Sequence, residues 1–118
     1  MAKIMVLDDV LDAVVLIQKI LTKKGHEVIT FTEEEDALKY VENNPIDLAI
    51  LDVKLKKMSG LDVLEELMEY DPDIRVIILT GYPTIETAQQ AVKLGAEEYC
   101  VKPIDKIELE EKVEQALR

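Results

Sequence analysis

The sequence predicts an α/β doubly wound fold, a five-stranded parallel sheet flanked by five helices, and three observations predict it. Short apolar runs recur along the chain, most of them nearly unbroken. Stretches with helical spacing and charged outer faces alternate with them, and the prolines fall in the connections. Unbroken apolar runs suit strands buried on both faces, and right-handed strand–helix crossovers place helices on the two sides of a parallel sheet.

The first run is Ile4-Met5-Val6-Leu7, followed by a helical stretch over about 10–24. The second, Val28-Ile29-Thr30-Phe31, leads into 33–43, where Thr32 followed by Glu33, Glu34 and Glu35 reads as an N-cap with a capping box and a dipole-matched first turn. Leu48-Ala49-Ile50-Leu51 precedes a helix over 60–69, Val76-Ile77-Ile78-Leu79 one over 84–94, and Tyr99-Cys100-Val101 one over 105–117. Gly25 and Gly95 stand just past helix ends, where a left-handed residue is wanted, and Pro45, Pro72, Pro83 and Pro103 all punctuate connections. With 118 residues and no linker, repeat or low-complexity stretch, the expectation is a single domain over 1–118.

Composition narrows the function. Apolar residues make up 48% and charged residues 33%, the balance of a folded globule. A net charge of −11 argues against direct contact with nucleic acid or an anionic membrane surface, since both would repel it. The lone cysteine, Cys100, allows no internal disulfide and reads as a small buried filler. No long apolar span exists, and Met1-Ala2-Lys3 runs directly into a strand pattern, so neither signal peptide nor membrane anchor is expected and the cytoplasm fits best. His26, beside Gly25, is expected in a surface loop.

In such sheets ligands bind outside the carboxyl ends of the strands. The residues that follow the apolar runs there are Asp8 and Asp9, Asp52, Thr80 and Gly81, and Lys102 and Pro103. Each position alone has a plain reading as a loop starter or cap; Asp9, for instance, could cap the helix from Val10. Together they bring three carboxylates, a hydroxyl and an ammonium to one edge. Adjacent carboxylates repel unless a cation joins them, and hard oxygen donors suit Mg²⁺ with a phosphate completing its shell. Lys102 then serves phosphate oxygens as a point charge and Thr80 as a hydrogen-bond donor. The set asks for a phosphoryl group.

Four segments, Ile4 to Asp9 (IMVLDD), Leu48 to Asp52 (LAILD), Ile77 to Gly81 (IILTG) and Tyr99 to Pro103 (YCVKP), resemble in order and spacing the marker segments of bacterial two-component receiver domains. The likeness covers essentially the whole chain and implies a flavodoxin-like sheet with strand order 2-1-3-4-5. It implies that Asp52 accepts a phosphoryl group from a histidine kinase or histidine phosphotransfer protein. It implies that Asp9 and Asp52 ligate Mg²⁺, with Asp8 acting mainly through a bound water and the backbone carbonyl of Lys54 completing the protein ligands. Lys102 would pair with the phosphoryl oxygens, Thr80 would swing its hydroxyl onto them, and Tyr99 would rotate inward behind it, the alternative for Tyr99 being a half-buried strand tyrosine. The chain would be a signalling switch and no enzyme beyond its own phosphorylation and dephosphorylation, responding at the fourth helix and fifth strand. A homodimer through the fourth helix, fifth strand and fifth helix is one mode such domains use.

The segment TGYPTIETAQQAVKLG, Thr80 to Gly95, is similar to receivers of enhancer-type transcription activators, although no output domain accompanies it and any DNA binding would belong to such a partner domain. Lys56 stands where a proline often follows the phosphorylated residue by four, so that loop is expected to be freer while Gly60 keeps the turn, and Val10 replaces a further polar residue after the acidic pair. Lys54 and Tyr82 occupy positions that in the family tune phosphoryl hydrolysis. The first helix carries Val10, Leu11, Ala13, Val14, Val15, Leu16, Ile17, Ile20 and Leu21, more than a core-facing stripe requires. The surplus is either covered by neighbouring helices or a docking surface for the phosphodonor, with Val14 and Val15 as the residues to test.

Three rivals weigh less. A phosphohydrolase of similar topology needs an acid two residues after its nucleophile, where this chain has Lys54. A flavin-binding module would want a Gly/Ser/Thr-rich phosphate loop after the first strand and aromatics to stack the flavin; this chain has no Trp. A phosphorylation-independent pseudo-receiver usually lacks an acid or the lysine, whereas Asp8, Asp9, Asp52, Thr80 and Lys102 are all present.

Overall fold

A computed structural model describes residues 1–118. Strands and helices alternate as β1 (Lys3–Leu7), α1 (Leu11–Lys23), β2 (Glu27–Phe31), α2 (Glu34–Asn43), β3 (Leu48–Leu51), α3 (Gly60–Tyr70), β4 (Arg75–Thr80), α4 (Ile85–Lys93), β5 (Glu98–Val101) and α5 (Lys106–Leu117). All four strand pairings are parallel and the order is β2-β1-β3-β4-β5. The order reverses between β1 and β3, which opens the crevice beside the ends of those two strands.

Strand alternation splits the interior into two cores. Met5, Leu7, Ala49, Leu51, Val76 and Ile78 face α2, α3 and α4, packing on residues such as Ala37, Leu64 and Ala91. Ile4, Val6, Leu48, Ile50, Ile77, Leu79 and Cys100 face α1 and α5, packing on Val14, Ile17, Leu21, Leu109 and Val113. The predicted buried role of Cys100 holds, and burial pushes its thiol pKa up, which disfavours the reactive thiolate. Gly25 and Gly95 adopt φ of +92° and +99° at the ends of α1 and α4, where glycine carries no steric penalty.

Two local expectations are corrected. Thr32 does not cap α2: the helix begins one residue later, with Glu33 at the N-cap position and no side-chain cap bond. Glu35, whose carboxylate would have completed the box, pairs instead with Lys57 at 3.1 Å. His26 is half-buried rather than a free surface residue, because its Nδ1 accepts the backbone N–H of Ala2 at 3.1 Å and ties the chain start to the α1–β2 turn. Burial, and then the positive charges of the amino terminus and Lys24, lower its pKa below the usual histidine value.

The apolar surplus of α1 also resolves. Val14, Ile17 and Leu21 are buried, while Val10, Leu11, Val15 and Leu16 stay exposed, Leu11 to 64% and Leu16 to 59%. Val14 therefore belongs to the core and not to any docking surface; one position along the helix turns it toward the sheet.

Candidate functional site

Each site residue lies where a core strand ends. Asp8 and Asp52 directly follow the fully buried strand residues Leu7 and Leu51, and the backbone N–H of Asp52 donates to the Leu7 carbonyl at 3.1 Å, which locks the two strand ends together. Asp8 is 3% exposed and Asp52 7%, so both carboxylates are held where water screens little. Their inner oxygens are anchored by short turns. Asp8 Oδ1 accepts the N–H of Val10 at 3.0 Å, and Asp52 Oδ1 accepts the N–H of Lys54 at 3.2 Å. Val10 takes the N-cap position of α1 and no side chain caps the helix, so Asp9 does not cap it. The Asp9 carboxylate forms no hydrogen bond or ion pair and stays available.

The outer oxygens converge on Lys102. Its Nζ lies 2.5 Å from Asp8 Oδ2 and 2.9 Å from Asp52 Oδ2, joining the ends of β1, β3 and β5 through one ammonium. Burial opposes that charge, yet the hydrogen bonds and field of Asp8 and Asp52 outweigh it, and the Lys102 pKa stands above the ordinary lysine value. One ligand oxygen from each of Asp8, Asp9 and Asp52 can be chosen so that all lie within 4.8 Å of one another. Three carboxylates against one ammonium leave an excess of two negative charges. Hard oxygen donors with that excess fit a divalent cation of the Mg²⁺ class.

Thr80 ends β4 fully buried, and its Oγ1 accepts the N–H of Tyr82 at 3.1 Å. Tyr99, paired in register with Ile78, packs on the α2–α3–α4 side of the sheet. Its hydroxyl lies 2.7 Å from Thr87 Oγ1 on α4, and Thr87 also closes a reciprocal capping box with Thr84 at the start of that helix. Above the site the Lys54 ammonium sits 4.3 Å from the centre of the Tyr82 ring, bridging the β3–α3 and β4–α4 loops.

Two contributors, Glu34 and Thr87, were not anticipated, and a third, Gly60, was expected only to keep the turn. Gly60 begins α3 against the backbone of Asp52, so closely that a Cβ there would fall 1.8 Å from the Asp52 carbonyl oxygen. Glu34, read as an ordinary first-turn acid, is 1% exposed and accepts the N–H groups of Lys57 and Met58 at 2.7 and 3.2 Å. Thr87, read only as part of a helix, anchors Tyr99. Their signal in sequence is slight, because each acts on a residue that only the folded chain brings near.

The family model described as "Response regulator receiver domain" matches residues 4–114. The transcriptional regulatory protein ZraR of Salmonella typhimurium is 35% identical over 97% of this chain, which spans only 26% of that protein. The chemotaxis protein CheY of Treponema pallidum is 33% identical over 98% of the chain and 83% of its own length. Among solved structures, a CheY-like receiver domain from Methanospirillum hungatei superposes with a TM-score of 0.96 at 30% identity, covering 99% of this chain and 94% of that one. TrrA from Thermotoga maritima, determined in complex with Mg²⁺ and BeF, has a TM-score of 0.89 at 34% identity and covers 99% of this chain and all of that one. The predicted strand order agrees with these neighbours, and no helix is long and apolar enough to cross a membrane. The chain belongs to the response regulator receiver family and is a phosphorylation-activated switch of the two-component type.

Proposed function

We propose that Asp52 is the phosphoacceptor, that Asp8, Asp9, Asp52 and the Lys54 carbonyl hold Mg²⁺, and that Lys102 receives the incoming phosphoryl oxygens. One observation carries this reading: a single ammonium bridges Asp8 and Asp52 beside an unengaged Asp9, in a pocket with two negative charges in excess. Mg²⁺ when bound would draw charge from the phosphoryl oxygens, which is most of what such transfer requires. The chain's own residues do the rest. The Lys54 N–H on Oδ1 orients the Asp52 carboxylate and leaves Oδ2 to attack phosphorus, forming a P–O bond as the phosphorus–nitrogen bond of the donor histidine breaks. Lys102 exchanges its carboxylate contacts for phosphoryl oxygens. The acid a phosphohydrolase would need is absent at Lys54, so residues 1–118 form one receiver domain that turns over only its own aspartyl phosphate.

Output follows from the thin anchoring of α4. Only Ala91 of that helix is buried, and Tyr99 is tied to its first turn through Thr87. A phosphoryl group on Asp52 attracts the Thr80 hydroxyl away from the Tyr82 N–H and opens space toward which Tyr99 turns, releasing Thr87 and shifting α4 and β5 to a second packing. Ile85 and Val92 on α4, Val101 on β5 and Ile107 on α5 are exposed apolar side chains, and these elements carry the face proposed for self-association.

The donor, a histidine kinase or phosphotransfer protein, is assigned to the exposed part of α1, where Leu11, Val15 and Leu16 lie within the first two turns of the helix that follows Asp9. Replacing these three with serine is expected to slow transfer from the partner kinase at least about tenfold, the effect of losing roughly 1.4 kcal/mol of docking. Labelling by acetyl phosphate with Mg²⁺ should be unchanged. Equal loss with both donors, or a wild-type chain that takes phosphate from neither, contradicts the assignment.

A further inference from the structure

Lys56 leaves the β3–α3 loop without a proline to stiffen it, and the structure shows what holds the loop. Glu34 reaches from the first turn of α2 into this loop and accepts the N–H groups of Lys57 at 2.7 Å and Met58 at 3.2 Å through one oxygen, Oε2. Its other oxygen, Oε1, is buried with no partner. A buried carboxylate left half satisfied costs stability, and a well-packed apolar side chain of its size would fit the same place more cheaply. The residue is therefore poor value as a packing element. Flanking pairs, Glu33 with Lys56 at 3.2 Å and Glu35 with Lys57 at 3.1 Å, are exposed and weak by comparison.

What Glu34 grips is one step from the site. Met58 adjoins Ser59, Ser59 forms an antiparallel bridge with Lys54, and the N–H of Gly60 donates to the Val53 carbonyl at 2.8 Å. The loop is thus a closed hairpin whose near side carries Asp52 and Lys54 and whose far side hangs on Glu34. Resting on the magnesium reading above, the geometry points to Glu34 as a positioning residue that fixes the Lys54 carbonyl toward the cation site through the Lys57 and Met58 amides. It touches neither metal nor phosphoryl group. Residues that orient ligands in this indirect way typically change metal affinity by about 10–100-fold.

The test is magnesium titration of the full chain, followed by amide NMR shifts around Asp52, with hydrogen exchange of the Lys57 and Met58 amides read alongside. Glu34→Met removes the acceptor without leaving a cavity, and Glu34→Gln removes the charge while keeping an acceptor oxygen. Glu34→Met is expected to retain its thermal stability, to expose both amides to faster exchange and to bind Mg²⁺ about tenfold more weakly. Glu34→Gln should bind close to wild type. A Met variant that binds as tightly as wild type overturns the role. So does a Gln variant that loses as much as Met, because the cause would then be charge and not the hold on the loop. A wild-type chain with no saturable Mg²⁺ binding would instead bring down the magnesium reading itself, and this role with it.

Discussion

Lys102→Ala is expected to slow phosphorylation by acetyl phosphate about 10²–10³-fold while making Mg²⁺ bind more tightly. The first effect is the loss of a fixed positive charge aimed at oxygens whose charge grows in the transition state. The second follows from competition. Lys102 occupies Asp8 Oδ2 and Asp52 Oδ2 at 2.5 and 2.9 Å, and removing it returns both oxygens to the cation. Without metal the same change leaves two carboxylates, 4% and 9% exposed as side chains, facing each other unpaired. Breaking a buried pair costs about 3 kcal/mol at the low end of its range, the end that applies here because roughly a quarter of the Lys102 side chain reaches solvent. Urea unfolding with and without Mg²⁺ checks this: the variant should be destabilised in metal-free buffer and recover most of its stability when the ion is added. A variant as stable as wild type without Mg²⁺, and phosphorylated at the same rate, contradicts the assignment of Lys102.

The second large effect is expected at Gly60. Alanine is the better helix former by about 1 kcal/mol, and Gly60 has no left-handed backbone to protect, so propensity alone favours the substitution. Contact geometry reverses the sign. The new Cβ would lie 1.8 Å from the Asp52 carbonyl oxygen, 2.7 Å from its carbon and 3.0 Å from the Val53 Cα, all backbone atoms that cannot rotate away. Either α3 or the phosphoacceptor segment must shift. Gly60→Ala should cost about 3 kcal/mol in urea unfolding, the upper part of the overpacking range. An ångström-scale displacement of Asp52 should also slow acetyl phosphate labelling about 10²-fold. An alanine variant of unaltered stability, labelled at the wild-type rate, would contradict this role of the Gly60–Asp52 contact.

The strands and the site edge were legible in the sequence because they depend on local order. Unbroken apolar runs such as Leu48–Leu51, short and alternating with helical stretches, suit doubly covered strands, and a polar residue directly after each then emerges at the same end of a parallel sheet. Asp8, Asp52, Thr80 and Lys102 follow from that rule alone. Other features depend on pairs remote in the chain. Whether Val14 or Leu16 faces inward turns on the angle at which α1 meets the sheet. Three acids after Thr32 read as a helix start, yet Glu34 and Glu35 serve a loop more than twenty residues on. The Thr87–Tyr99 bond, likewise, joins a helix start to a strand through side chains whose spacing carries no period.

The central claim is that Asp52 alone accepts the phosphoryl group. Intact-mass and fragment measurements on the chain incubated with Mg²⁺ and acetyl phosphate, for wild type and Asp52→Asn, test it most directly. The account predicts one phosphoryl group on the wild-type chain, placed at Asp52, and none on the asparagine variant. A wild-type chain that takes up no phosphoryl group, or a variant labelled as fully as wild type, would contradict it.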